Sequence, residues 1–242
     1  MKINQDLCTG CGTCLRHCPM KAITVLQRKA RVSQERCAEC GLCLRLRVCP
    51  VVAFEAPGDL EWPRSIRSIF SNPLSEFKET GVTGRGTEEM KTNDVTDRFK
   101  EGLLGVAVDV GRPNLGTTLR DVDVISRAVA PIGVAFEAKN PLTYLMQDKL
   151  TGALNPEVLG EAVVSAIVEF IIPEVNLAAV LDALREAATK IDTVFSVGVI
   201  CRVKNDGSVP AIGLVDSYNK TRSGPPLAIR PDSKVNVGLG RM

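Results

Sequence analysis

The chain has 242 residues but one histidine, one tryptophan and two tyrosines, and its aromatic residues reach only 4%. Sequence-tolerant binding of single-stranded nucleic acid needs aromatic stacking platforms, which are scarce here. The net charge of +2, from 30 Lys+Arg against 28 Asp+Glu, also supplies no field that would gather a phosphate backbone. No nucleic-acid partner is expected. With His17 as the sole imidazole and no recognisable paired-carboxylate motif, a hydrolytic triad has no support. No apolar run reaches the ~18 residues of a membrane-spanning helix, so no membrane span is expected. The opening residues, Met1-Lys2-Ile3-Asn4-Gln5-Asp6, lack the apolar core of a secretory signal, and a cytoplasmic location is the expectation. The balance of 45% apolar and 24% charged residues is that of a globular chain with one or two domains. It excludes a mainly disordered, collagen-like or coiled-coil protein.

Cysteine is the exception to this scarcity. There are nine, and eight lie between positions 8 and 49, with Cys201 alone. A reducing cytosol disfavours disulfides, which leaves metal. Cys8, Cys11, Cys14 and Cys18 follow C-x2-C-x2-C-x3-C with Pro19 next. That is the bacterial [4Fe–4S] run, proline included, in which the fourth cysteine crosses to the other cluster. Structural zinc normally takes two C-x2-C pairs rather than three cysteines in one arc. Cys37, Cys40, Cys43, Cys49 and Pro50 repeat the run with two extra residues before the last cysteine. The repeat extends past the ligands: Gln5, Gly12, Leu15 and Arg16 recur as Gln34, Gly41, Leu44 and Arg45. Beyond the insertion, Pro19 and Ala22 recur as Pro50 and Ala53. Two copies of one unit imply a pseudo-two-fold domain. The expected ligand sets are Cys8, Cys11, Cys14 and Cys49 for one cluster, and Cys37, Cys40, Cys43 and Cys18 for the other. The competing readings are two zinc sites or a degenerate copy holding a single cluster. The inserted Leu46-Arg47 is expected to bulge outward.

On these motifs residues 1–56 resemble a two-cluster bacterial-type ferredoxin. The resemblance implies low-potential, one-electron transfer and no bond-making chemistry within this domain. Small residues such as Gly12, Gly41, Ile23 and Val25 are expected to shield the clusters. Residues 1–56 hold nine Lys/Arg against four Asp/Glu, a charge of +5 before the cofactors are counted. Each oxidised cluster with its thiolates adds about −2. The resulting basic rim suits an acidic partner subunit or an acidic ferredoxin donor, although a merely solvated surface explains it equally well.

Residues 57–100 form a proline-interrupted stretch that still carries Trp62, Ile66, Ile69, Phe70, Leu74 and Phe77. It is expected to wrap the domains, with Trp62 as a packing anchor. Its Gly84-Arg85-Gly86-Thr87 loop is a candidate anion or ligand loop. It lacks the ending of a Walker loop and the context of a Rossmann loop. Arg112 and Thr117, at a turn before a helix, are further candidates, and an ordinary helix cap explains them as well. His17 is read as a surface neighbour of Cys18, and Cys201 as a small apolar residue in a strand.

From residue 101 to 242 the pattern predicts strands at Leu103–Val110, Gly133–Glu137, Val163–Ile172 and Thr193–Val203. Helices are predicted from Thr117 or Thr118 to about Ala130 and over Leu177–Lys190. Pro141–Pro156 reads as irregular with a short helical piece. Asn205-Asp206-Gly207 reads as a hairpin turn returning Val209–Val215 as an extra strand, with an extended tail after it. The expected fold class is α+β: an N-terminal 2[4Fe–4S] ferredoxin domain followed by a ferredoxin-like βαββαβ sandwich.

The segment Gly84–Thr96, with Asn236-Val237-Gly238-Leu239-Gly240-Arg241, is similar to the iron–sulfur 6-hydroxynicotinate reductase family. That resemblance implies clusters coupled, with a flavin, to reduction of a pyridine ring, although no motif here supports a flavin site. Three functions follow. The first is an electron-transfer subunit of an anaerobic, low-potential oxidoreductase complex, part of a hetro-oligomer with a catalytic subunit or a ferredoxin-type donor. The second is a self-contained flavin-dependent ring reductase. The third is a redox or metabolite sensor.

Overall fold

A computed structural model describes residues 1–79, 81–83, 98–112, 116–223 and 227. It is a mixed helix-and-sheet structure with two apolar cores. The smaller core gathers Met1, Ile23, Ala30, Val48, Ala53 and Phe54 around the cysteines. The larger is built from residues 66–218.

The first unit reflects its repeat. Strand β1 (Lys2–Ile3) pairs antiparallel with β4 (Phe54–Glu55), and β2 (Ile23–Leu26) pairs with β3 (Lys29–Val32). Each copy's first strand therefore pairs with the other copy's last strand. Gln27 and Arg28 turn the β2–β3 hairpin with φ of 49° and 57°. Positive φ at both turn residues matches the right-handed strand twist. Helix α1 (Leu42–Arg45) follows the second cysteine loop. Leu46 and Arg47, the inserted pair, are exposed, and Arg47 adopts φ 47°.

Helix α2 (Ser65–Ser71) touches both units. Its Ile66 and Phe70 enter the larger core. Its buried Arg67 donates from Nη1 to the carbonyls of Gln34 (2.7 Å), Glu35 (3.0 Å) and Cys37 (2.8 Å), while its Nε pairs with Glu161. Arg64 bonds Gln34 O (2.9 Å) and the buried Glu39. Trp62 is not a packed anchor. It is 48% exposed, and its indole N–H donates to Glu157 Oε2 at 2.6 Å. Its apolar body thus stays wet while its polar edge ties this stretch to the second unit. Residues β5 (Glu76–Phe77) and β6 (Val82–Thr83) form a short ribbon.

In the second unit β7 (Leu103–Val110) carries an apolar run, with Leu104, Val106, Val108 and Val110 fully buried. It lies between β13 (Ala166–Pro173) and β14 (Phe195–Cys201), antiparallel to both. β9 (Ala135–Phe136) completes the sheet on the far side of β13, giving the order β14-β7-β13-β9. Helix α3 (Leu119–Val129) connects β7 to β9, and α5 (Leu177–Ala188) connects β13 to β14; the two helices pack together. β8 (Thr117–Thr118) pairs with β12 (Ala162–Val163). Pro141–Pro156 is more ordered than its sequence implies: α4 (Pro141–Tyr144) is followed by a hairpin of β10 (Met146–Asp148) and β11 (Ala153–Leu154).

The extra strand at Val209–Val215 is a correction. The turn itself exists, with Gly207 at φ 80° and Gly207 N bonded to Lys204 O at 2.9 Å. The chain then enters helix α6 (Pro210–Thr221). Pro210 stands in the first turn, where a missing N–H costs nothing. Ala211 and Tyr218, two turns apart, are both buried. The Tyr218 hydroxyl donates to Asp182 on α5 at 2.8 Å, and Arg222 Nη2 donates to the same carboxylate at 2.6 Å. Among the described residues, no helix is long and apolar enough to cross a membrane.

Candidate metal centre

The eight clustered cysteines separate into two groups in space. Cys8, Cys11, Cys14 and Cys49 line one cavity, with an open space of about 330 Å3, together with Gly10, Gly12, Ala30, Val48 and Phe54. Cys18, Cys37, Cys40 and Cys43 line a second, of about 400 Å3, with His17, Met20, Ile23 and Gly41. Each group takes three cysteines from one run and the fourth from the other. Two such sites, each ringed by four thiols and apolar side chains, suit a group held by soft sulfur donors.

The donor chemistry fits an iron–sulfur cluster. Four soft thiol donors, no imidazole nitrogen in the first set and a largely apolar wall are the setting of such a group. Backbone amides are already aimed at the sulfurs. Ala30 N donates to Cys8 Sγ, Ala22 N to Cys18 Sγ and Ala53 N to Cys49 Sγ, each at 3.3 Å. The last two are the same contact in the two copies. Such N–H groups place each sulfur. The loops that carry the thiols need left-handed backbone. Gly10, at φ 70°, packs so closely that a Cβ would collide with the Arg28 carbonyl. The equivalent Glu39 takes φ 50° and is buried, with its carboxylate bonded to Arg64 and to the amino group of Met1.

Burial, then the neighbouring Cys40 and Cys37, pushes the Cys43 pKa up to about 11. Burial also raises Cys37 and Cys40, and it raises Cys14 in the first group. Cys11 differs: it is exposed, and the Thr13 hydroxyl 3.5 Å from its sulfur pulls its pKa down. Loading metal onto either group must therefore release protons.

The other candidates lie elsewhere. Thr117 is buried, and its hydroxyl faces Asp121 Oδ2 at 3.2 Å; Thr118 and Asp121 form a capping box on α3. A carboxylate thus stands where an anion would have to sit. Arg112 is exposed. Gly84, Arg85, Gly86 and Thr87 lie outside the described residues, as does the rest of the 84–96 segment and all of 236–241. Val25 is not among the residues lining either cavity, whereas Gly12, Gly41 and Ile23 are. Cys201 is half-buried on the edge strand β14, far in sequence from both groups, and burial raises its pKa. Sequence reasoning missed Arg64 and Arg67. Only the pairing of α2 with a loop about 30 residues earlier gives them a role, and no local pattern marks it.

Residues 1–50 match the family of 4Fe-4S dicluster domains. The match supports [4Fe–4S] clusters and an iron–sulfur electron-transfer role for the N-terminal unit. No curated protein matches the chain, and no solved structure does.

Proposed function

We propose that this chain is a two-cluster electron-transfer subunit that passes single electrons to a catalytic partner in an anaerobic, low-potential oxidoreductase complex. Cys8, Cys11, Cys14 and Cys49 hold one [4Fe–4S] cluster, and Cys18, Cys37, Cys40 and Cys43 hold the other. The observation that carries this reading is the sorting of eight cysteines into two four-thiol cavities, each drawing its fourth member from the opposite run. The clusters, when bound, supply reversible one-electron chemistry. The chain's residues hold them: thiolates bind, and the amides of Ala22, Ala30 and Ala53 orient three of the sulfurs. Ile23, Val48 and Phe54 keep water from the walls. Arg64 and Arg67 fix the loop that leads into Cys37 and Cys40.

The domain division follows the same reading. Residues 1–56 carry the clusters, 57–100 bind the units together, and 101–242 form an α/β domain that clamps onto the partner. The strand order β14-β7-β13-β9 with two connecting helices supports a split βαβ sandwich for that domain. Anaerobic reconstitution tests the reading. The holoprotein should bind about eight irons and eight sulfides per chain, two four-iron clusters' worth. Cys18→Ala should disturb the cluster of the second run and leave the first near native. A chain that binds only zinc, or a Cys18 variant that loses the cluster of Cys8, overturns it.

A further inference from the structure

The pseudo-two-fold repeat supplies its own comparison. Around the first cavity the apolar neighbours of the cysteines face solvent: Leu7 is 51% exposed, Leu15 39%, Leu46 54%, Val51 37% and Val52 78%. Leu7, Val51 and Val52 lie within three positions of a cysteine of that cavity alone, and Leu15 and Leu46 stand between cysteines of both. Their counterparts around the second cavity carry no exposed apolar side chain: Arg36 and Lys21 are exposed but charged, and Leu44 and Met20 are half-buried. Leu44, the counterpart of Leu15, packs in the small core. Met20, the counterpart of Val51, lies over the second unit, where a Cβ on Gly116 would sit 2.5 Å from its sulfur. Arg67 and Glu161 close the same side. One flank of the second cavity is therefore covered by the chain itself, while exposed apolar side chains gather beside the first.

Val52 adds an observation of its own. It has φ 53°, a conformation that a β-branched residue adopts only under strain, and it is almost fully exposed. Its counterpart Lys21 has φ 48°. The left-handed turn thus belongs to both copies, but an apolar side chain stands at its tip only beside the first cavity. Cys11, the exposed cysteine, lies on that cavity too. Arg16 and Arg47, both exposed, each stand two positions from one of its cysteines, and the nine basic against four acidic residues of 1–56 leave the domain about +1 with both oxidised clusters counted.

We propose that this face is the docking site for an acidic one-electron carrier protein, with Leu46, Val51 and Val52 as its apolar centre and Arg16 and Arg47 on its rim. The assignment rests on the electron-transfer reading above. Apolar contact removes water between the two centres, and the basic rim steers an acidic partner. One electron leaves the reduced carrier and enters this chain; the carrier is oxidised and the chain is reduced by the same charge. Met20, on the wall of the second cavity, lies against Gly116 of the α/β unit.

The test uses the reconstituted holoprotein and a reduced, small acidic [2Fe–2S] ferredoxin, with transfer followed by stopped-flow absorbance. Val52→Asp should lower the second-order rate constant about tenfold or more, because it sets like charge against the partner at the centre of the contact. Val52→Lys, which installs the residue of the other copy, should be no slower than the parent at low salt. Leu150→Asp, at an 87% exposed site in the second unit, should leave the rate unchanged, and rising ionic strength should slow the parent. Dithionite, which needs no docking face, should reduce all the variants alike. If Val52→Asp and Val52→Lys behave the same, or Leu150→Asp slows transfer as much as Val52→Asp, the docking assignment is wrong. A holoprotein that dithionite cannot reduce would instead overturn the electron-transfer reading itself.

Discussion

Replacing Arg67 with methionine should be among the most damaging single changes outside the cysteines. Its side chain is 7% exposed and that of its partner Glu161 12%. The substitution keeps most of the apolar stem but strands the Glu161 carboxylate. It also removes the donor shared by the carbonyls of Gln34, Glu35 and Cys37. Breaking a buried ion pair by removing one partner costs about 3–5 kcal/mol. For a chain of this size that corresponds to a fall of roughly 10 °C in Tm. Glu161→Gln keeps an acceptor and leaves the guanidinium bonded to its carbonyls, so about 1–2 kcal/mol is expected. The double variant should cost less than the sum of the two, since each single change removes the same pairing. Anaerobic urea unfolding of the holoprotein, followed by circular dichroism and by the fluorescence of Trp62, measures all four states. A cost for Arg67→Met below about 1 kcal/mol, the level of an exposed pair, or strict additivity in the double variant, would refute the reasoning.

Cys11→Ala and Cys40→Ala should each lose one cluster, seen as about half the iron content, whereas Cys201→Ser should lose none; full iron in both alanine variants would contradict the assignment. Stripping iron with a chelator should unfold residues 1–56, whose apolar core is small and built around the cysteines. The unit around β7 and β13, with its own larger core, should persist, and hydrogen exchange separates the two. The hydrogen bond from Arg222, then that from Tyr218, holds the Asp182 pKa below the usual carboxylate value. Its contribution is therefore present above a pH of about 4 and is lost as pH falls through the lowered pKa. Asp182→Asn should cost a little stability at pH 7, because the pair is exposed, and the difference should close on acidification.

The cysteine runs were legible because a cluster ligated within a short loop forces ligand spacing onto neighbouring residues, and the repeat made the crossing visible. The strands at Leu103–Val110 and Ala166–Pro173 could be read because they are buried along most of their length and written as apolar runs. Pro210–Thr221 was misread because an Asn-Asp-Gly turn before β-branched residues is the usual mark of a hairpin. Tyr218 and its bond to Asp182 on α5, which favour the helix, are tertiary facts. Trp62 was misjudged for a similar reason: composition marks it as apolar, but the carboxylate of Glu157 draws its N–H to the surface. The difference between the two ends of the cysteine domain was legible only in part: Val52 and Leu7 stand where the other copy has Lys21 and Arg36, but the chain that folds over Met20 is a tertiary fact.

The crossed arrangement of the two copies also has a meaning in time. The cavity that holds Cys8, Cys11 and Cys14 is closed by Cys49, and β1 finds its partner only in β4 at Phe54–Glu55. While the chain is being made, the first three thiols emerge well before the fourth, with no strand yet available to fix them. A three-thiol half-site is open to any soft metal ion that meets it. Neither cluster site is complete until cysteines of the second copy have been made: Cys43 completes one set and Cys49 the other. Insertion of the two clusters is therefore tied to synthesis of the second copy, and a chain stalled between Cys14 and Cys43 has no finished site to fill.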